Sequence, residues 1–215
     1  MKIIQNLVSP SKYNIKCPYT MDPEYIVVHN TANDASARDE IAYMIRNNTQ
    51  VSFHYAIDDK EIVQGIPENR NAWHAGDGNG QGNRKGIGIE ICYSKSGGKR
   101  FEEAEKLAAK FIAYKLDEKN WGVDRVKKHQ DFSGKYCPHR TLDLGWQRFL
   151  NMIQNELNKL KGAEKVTDKN KPSKWAEKEW AWAQKEGYLD GTRPKDPITR
   201  EEMAIVLKRL VDRVG

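Results

Sequence analysis

Apolar residues along this chain fall into short runs of two kinds, unbroken or alternating stretches and stretches with a three-to-four-residue period. Tyr25-Ile26-Val27-Val28 is unbroken and predicts a buried strand over Tyr25–His29. Val51–Ile57 and Glu61–Gln64 flank the turn residues Asp58-Asp59-Lys60 and predict a hairpin, and Gly86–Cys92 predicts a further strand. Between them lie helical periods. Asn33-Asp34-Ala35-Ser36 offers cap-type residues before Ala37–Asn47, where Ile41, Met44 and Ile45 recur at helical spacing. Phe101–Leu116 places Phe101, Leu107, Ala108, Phe111, Ile112 and Leu116 on one face. Asp143 is positioned to cap a last helix to about Leu160, with Leu144, Phe149, Ile153 and Leu157 inward. Strands interspersed with helices predict an α/β fold, a mixed central sheet flanked by helices.

Three stretches break the pattern. Residues 1–24 carry Pro10, Pro18 and Pro23 with little periodicity and form a lead-in. Pro67–Gly86 is rich in Gly and Asn and holds Trp73, His74 and Ala75; a loop this long in a compact domain is generally functional. Lys161–Lys174 has many charges, Gly162 and Pro172 but almost no apolar residue, which predicts a linker. The expected organisation is a domain over 1–160, a linker over 161–174 and a small helical module over 175–215. In that module Trp175, Trp180 and Trp182 crowd one short helix. The turn Gly187-Tyr188-Leu189-Asp190-Gly191-Thr192-Arg193-Pro194 follows, and Thr199-Arg200-Glu201-Glu202 caps a second helix carrying Met203, Val206, Leu207 and Leu210.

Composition narrows the class. With 215 residues, 38% hydrophobic and 31% charged, the chain has room for one medium domain and an appendage. No apolar run is long enough to span a bilayer, so no membrane insertion is expected. The N-terminal residues Met1–Pro10 lack the apolar core and cleavage site of a signal peptide, so the protein is expected to stay in the cytoplasm until something else releases it. Cys17, Cys92 and Cys137 do not form a disulfide framework in a chain of this size. A net charge of +6 fits an anionic partner, nucleic acid or the anionic polymers and muropeptide carboxylates of a cell wall, and fits simple solubility equally well. The basic residues are dispersed, without a dense run or an aromatic–basic pairing, so nothing beyond the charge favours nucleic acid.

The chemistry concentrates in His129-Gln130-Asp131-Phe132-Ser133-Gly134-Lys135-Tyr136-Cys137-Pro138-His139. Imidazole and thiolate both ligate zinc, and three protein ligands with one open position make a catalytic site. This stretch supplies His129 and Cys137. The third ligand is best sought in His29, held rigidly at the end of a buried strand; His139, two residues past Cys137, is the competitor. If Cys137 holds metal, Cys17 and Cys92 are most simply packed thiols. In the run Gly86-Ile87-Gly88-Ile89-Glu90, alternation puts Gly88 and Glu90 on the face opposite the isoleucines. Glu90 is then either a carboxylate facing a cleft or a strand-end salt bridge. Alternation sets His54 opposite Phe53 and Tyr55, in a packed role on the far side of the sheet.

His-Asn-Thr-Ala-Asn from His29, Glu90 at the end of its glycine–isoleucine run, Lys135 two residues before Cys137, and Pro138 directly after it resemble the zinc-dependent N-acetylmuramoyl-L-alanine amidases. These are the amidase-2, or peptidoglycan-recognition-protein-like, enzymes, especially those of Bacillus-type phages and their hosts, and the resemblance runs from about Lys12 to Leu160. It implies a zinc cofactor on His29, His129 and Cys137, with Glu90 as general base and Lys135 as oxyanion stabiliser. It further implies that Asn30, Trp73 and His74 border the substrate, bacterial peptidoglycan cut between N-acetylmuramic acid and L-alanine. The tail resembles a single S-layer homology repeat, which implies attachment to a secondary cell-wall polymer; dimerisation or a purely stabilising role stays open. A phage endolysin is the expected setting, with a host or prophage autolysin of the same activity or a non-catalytic peptidoglycan-binding module as alternatives.

Overall fold

The computed structural model describes residues 1–169, 171–192 and 194–214, and their side chains apart from those of 163–169, 213 and 214. Asn170, in the expected linker, and Arg193, in the expected glycine turn, lie outside the described residues. In chain order the elements are β1 (Ile4–Gln5), α1 (Tyr13–Lys16), β2 (Tyr25–Asn30), α2 (Ala37–Arg46), β3 (Tyr55–Ile57), β4 (Ile62–Gln64), α3 (Gln81–Lys85), β5 (Gly86–Ile91) and α4 (Gly98–Glu118). They continue as β6 (Val126–Lys128), α5 (Gln130–Ser133), α6 (His139–Asp143), α7 (Trp146–Lys169), α8 (Glu177–Lys185) and α9 (Arg200–Val214). The strands form one mixed sheet in the order β1-β4-β3-β5-β2-β6, in which only β3 and β4 run antiparallel. The predicted mixed α/β class is therefore the observed one.

Register sorts the side chains into two faces. His29 pairs with Glu90, and Ala56 pairs with Glu90 from the other side, so His29, Glu90 and Ala56 share a face. Ile87, Ile89 and Ile91 point the other way, fully buried, on the side where Tyr55 meets Phe111 of α4 at 4.8 Å between ring centroids. Phe101, Ala104, Ala108, Ile112 and Leu116 of α4, with Phe149, Ile153 and Leu157 of α7, fill that layer. Arg148 reaches from α7 to the buried Glu105 of α4 at 2.6 Å. The opposite face takes α2, whose Ile41 and Met44 crowd Gly65 so closely that an added Cβ would lie 2.5 Å from the Met44 methyl.

Several boundaries differ from expectation. The strand expected from Val51 begins at Tyr55, because Val51 O accepts from Lys16 Nζ and the Ser52 N–H donates to Trp73 O, leaving those groups unavailable to the sheet ladder. The lead-in contributes an edge strand, β1, and a short helix. Its Lys12 and Lys16 donate to the last carbonyls of α2 and to Asn47 Oδ1, a cationic C-cap supplied from elsewhere in the chain. Asp143 ends α6 rather than starting the last helix. That helix continues past Leu160 to Lys169, into the segment expected to be linker, because lysines, glutamate and alanine there are good helix formers and charge alone stops nothing.

Compactness divides the chain into Met1–Asn158 and Lys159–Gly215. In the second unit α8 and α9 form, but Trp175, expected on the first helix with Trp180 and Trp182, precedes α8 in a 3-10 turn over Lys174–Ala176. Thr199 Oγ1 accepts from Glu202 N at 3.1 Å while Glu202 Oε2 accepts from Thr199 N at 2.9 Å, the reciprocal capping box. Among the described residues, no helix is long and apolar enough to cross a membrane.

Candidate metal centre

Three elements converge at one end of the sheet. His29 is the penultimate residue of β2, His129 follows β6, and Cys137 ends the short loop after α5. The three are buried, at 1%, 6% and 5% exposure. His29 Nδ1 lies 3.0 Å from His129 Nδ1 and 3.9 Å from Cys137 Sγ, and all three ligand atoms sit within 4.8 Å of one another. A tetrahedral zinc with ordinary bond lengths sets two nitrogens about 3.3 Å apart and nitrogen and sulfur about 3.6 Å apart. The observed nitrogen and sulfur separations from His29 match within a few tenths of an ångström. The donor set, two imidazoles and one thiol, is also the one zinc takes.

Hydrogen bonding sharpens this fit. His74 Nε2 stands 3.1 Å from Gly86 O, an acceptor only, so that nitrogen carries the proton; His74 Nδ1 is then bare and accepts from His29 Nε2–H at 3.0 Å. His29 Nδ1 is therefore left bare, facing His129 Nδ1 at 3.0 Å, a spacing that suits a cation held by both. Burial pushes the pKa of His29 well down, helped by repulsion from His74, His129 and Lys135, and lowers His129 as well, so both rings are neutral and able to ligate. Burial and the Glu90 carboxylate push the Cys137 thiol up to about 11, against an opposing hydrogen bond from the Asn30 backbone and the charge of Lys135.

Glu90 lies on the same face, in register with His29. Its Oε2 is buried and has no hydrogen-bond partner. Burial, then repulsion from Glu40, pushes its pKa up to about 8, with Lys135 partly offsetting them. No described ion pair includes Glu90, so the strand-end salt bridge is not what the structure contains. Lys135 sits exposed in the loop between α5 and Cys137, close enough to act electrostatically on His29, His129, Cys137 and Glu90.

The expected substrate contacts separate. Trp73 is half-buried, edge-on to Tyr19 at 6.1 Å between ring centroids, with its buried Nε1 unpartnered. Asn30 is 6% exposed, and its Oδ1 accepts from the backbone of Arg140 and Thr141 at 3.0 and 3.1 Å, which braces the chain beyond Cys137. His74 is likewise not at the surface but 7% exposed beneath His29. His54 shares the face of Ala56 and Glu90 instead of lying on the far side, since residues two apart on a strand point the same way. Its role is nonetheless packing, with Nδ1 accepting from Gly88 N and Nε2 donating to Arg70 O. His139 opens α6 with its Nε2 near Ser94 O, away from the cluster. Cys17 and Cys92 are buried free thiols.

Sequence reasoning missed two contributors. The strand β6 that delivers His129 is only Val126-Lys127-Lys128, too short and too polar to be recognised by pattern. Asn83, whose Oδ1 accepts from the backbone N–H of both His74 and Ala75 at 2.7 Å, looked like one more loop asparagine.

Residues 19–140 match the family described as N-acetylmuramoyl-L-alanine amidase. The chain belongs to that family. It is 52% identical to the N-acetylmuramoyl-L-alanine amidase CwlA of Bacillus subtilis (strain 168), across 97% of this chain and 78% of that protein. It is 58% identical to the amidase XlyB of the same organism across 80% of this chain, spanning about half, 55%, of that longer relative. Among solved structures, PlyL superposes with a TM-score of 0.70 and 55% identity, covering 71% of this amidase and 97% of PlyL. The catalytic domain of XlyA gives 0.66 and 41% identity, over 71% of this chain and 99% of that domain.

Proposed function

We propose that this amidase is zinc-dependent, with the metal on His29 Nδ1, His129 Nδ1 and Cys137 Sγ, and that it hydrolyses the bond between the lactyl group of N-acetylmuramic acid and L-alanine in peptidoglycan. The observation that carries the metal reading is the convergence of the two Nδ1 atoms and the Cys137 thiol at 3.0 and 3.9 Å. Bound there, zinc supplies Lewis-acid polarisation of the scissile carbonyl and acidifies a water. Cys137 gives up its proton to become a ligand. Glu90, on the same face and without a partner of its own, takes the proton from the attacking water and delivers it to the leaving nitrogen. The Lys135 ammonium opposes the charge that develops on the carbonyl oxygen. Trp73 borders the substrate as an aromatic wall.

Release of muramic-acid-linked peptides from purified walls tests this directly. Dialysis against a strong chelator should abolish release, and zinc should restore it; undiminished release by protein with no bound metal would refute it. A phage endolysin and a host or prophage autolysin share this chemistry, and the endolysin setting is favoured by the Bacillus and phage relatives, including the endolysin LysK of Staphylococcus phage K at 33% identity over 59% of this chain. The thiol of Cys137 and the unpartnered carboxylate of Glu90 favour catalysis over a binding-only module.

The tail is proposed to bind a secondary cell-wall polymer in the manner of the S-layer homology repeat it resembles. Trp175 and Trp182 are 86% and 54% exposed. A cavity of about 330 Å³ lies between α8 and α9, lined by Trp180, Tyr188, Asp190 and Arg209 among others. Ending the chain after Lys169 should keep turnover of soluble muropeptide while lowering retention on purified walls. Equal retention would move the tail to a packing or dimerisation role.

A further inference from the structure

We infer that His74 is a positioning residue of the metal site, the link that holds His29 in the one tautomer able to ligate through Nδ1. The inference rests on the zinc reading above and goes beyond it in assigning a residue that neither binds metal nor meets substrate.

The chain of donors has a fixed direction because it ends on a backbone carbonyl. Gly86 O can only accept, so the proton 3.1 Å away belongs to His74 Nε2. A neutral imidazole carries one N–H, so His74 Nδ1 accepts, and the proton in the 3.0 Å contact belongs to His29 Nε2. His29 Nδ1 is thereby left bare, turned towards His129 and Cys137. His74 is 7% exposed, and its described hydrogen-bond partners are a backbone carbonyl, a side-chain amide and a ring nitrogen, none of them a carboxylate, so the buried ring is neutral. Orienting partners of this kind fix the ring and tautomer of a ligand and are worth about 10–100-fold in metal affinity.

The surroundings are built to hold this ring. Asn83 Oδ1 accepts from His74 N and Ala75 N, both at 2.7 Å, and Asn83 Nδ2 donates to Gly78 O at 2.9 Å, so a single side chain clamps the loop at both ends. On the strand side, Gly88 makes room: a Cβ there would sit 2.6 Å from His74 Cδ2 and 2.7 Å from Cγ, so no larger residue fits without moving the ring.

The test uses the full chain. In zinc-loaded wild type, long-range ¹H–¹⁵N correlation should find His29 and His74 each protonated on Nε2 alone. Chelator competition should show His74→Ala binding zinc about 10–100-fold more weakly than wild type. His74→Asn, whose Oδ1 can take the place of Nδ1 as acceptor, should recover to within about fivefold of wild type on the same scale. A proton on His74 Nδ1, or wild-type zinc affinity in His74→Ala, or equal losses in the Ala and Asn variants, would overturn the inference. Should His74→Ala fail to fold, the wild-type tautomer measurement decides by itself. Wild type that binds no zinc at all would overturn the zinc reading and this inference together, whereas tight zinc with the wrong tautomer overturns only the latter.

Discussion

Glu90→Gln separates a catalytic carboxylate from a structural one by moving activity and stability in opposite directions. The substitution keeps the shape of the side chain and removes its basicity and charge. As the proton carrier for both steps, Glu90 contributes about 10²–10⁴ in rate, so wall hydrolysis should fall by that factor while zinc stays bound. Stability should rise. Burial and the charge of Glu40 push the carboxyl from 4.5 up to about 8, and its Oε2 has no hydrogen bond to offset this. A raised acid pKa destabilises the folded chain at any pH where the unfolded chain ionises more readily. The penalty is absent below about pH 4.5, grows through neutrality and levels off above pH 8. At about 1.4 kcal/mol per pH unit the penalty at pH 7 is roughly 3 kcal/mol. Glutamine brings its own unsatisfied amide, so a net gain of about 1–2 kcal/mol is expected in the metal-free protein at pH 7. Urea unfolding of chelated wild type and variant at pH 7 and pH 4 reads it, and the gain should vanish at pH 4. A variant less stable than wild type at pH 7 would mean that Glu90 is paired in the fold, and near-normal hydrolysis would leave the proton transfers without a carrier.

Three further outcomes follow from the geometry. Cys137→Ser and His129→Ala should each show markedly less zinc by elemental analysis, since each removes one of three buried ligand atoms; full occupancy in either variant would remove that residue from the site. Lys135→Ala should keep its zinc, because the ammonium lies exposed outside the ligand cluster, and lose about two or three orders of magnitude in turnover. Glu68, half-buried, accepts from Tyr55 Oη at 2.7 Å and pairs with Lys115 at 2.9 Å; burial opposes its ionisation, but these partners hold its pKa below the usual carboxylate value. Its contribution is therefore present above the unfolded carboxylate pKa and lost as pH falls through the lower folded value. Glu68→Gln should cost about 1–3 kcal/mol at pH 7 and little at pH 3, and a gap that persists at pH 3 would refute the assignment.

By itself the sequence determined the class of fold, because that depends on local patterns, and its resemblance to the amidases singled out the three residues of the candidate metal cluster. An unbroken apolar run makes Tyr25–Asn30 a central strand whatever surrounds it, and the helical period of Phe101–Leu116 can bury only one face. His29, His129 and Cys137 converge, their ligand atoms within 4.8 Å of one another. What each polar group faces was decided by tertiary structure. Asn30 and His74 have the same side chains whether they meet substrate or hold the fold; only the return of residues 138–141 over β2, and of the Trp73–Gly76 loop beneath His29, commits their hydrogen bonds inward. The face of His54 depended on where β3 begins, which Lys16 sets by taking the carbonyl of Val51. The direction of the proton chain from Gly86 to His29 is likewise beyond any one-dimensional pattern, since it is fixed by an acceptor and a ring 12 residues apart in sequence, and by a second ring 45 residues further off. Hydrophobic periodicity acts between neighbours along the chain, but hydrogen-bond direction is set by whichever groups the fold brings within 3 Å.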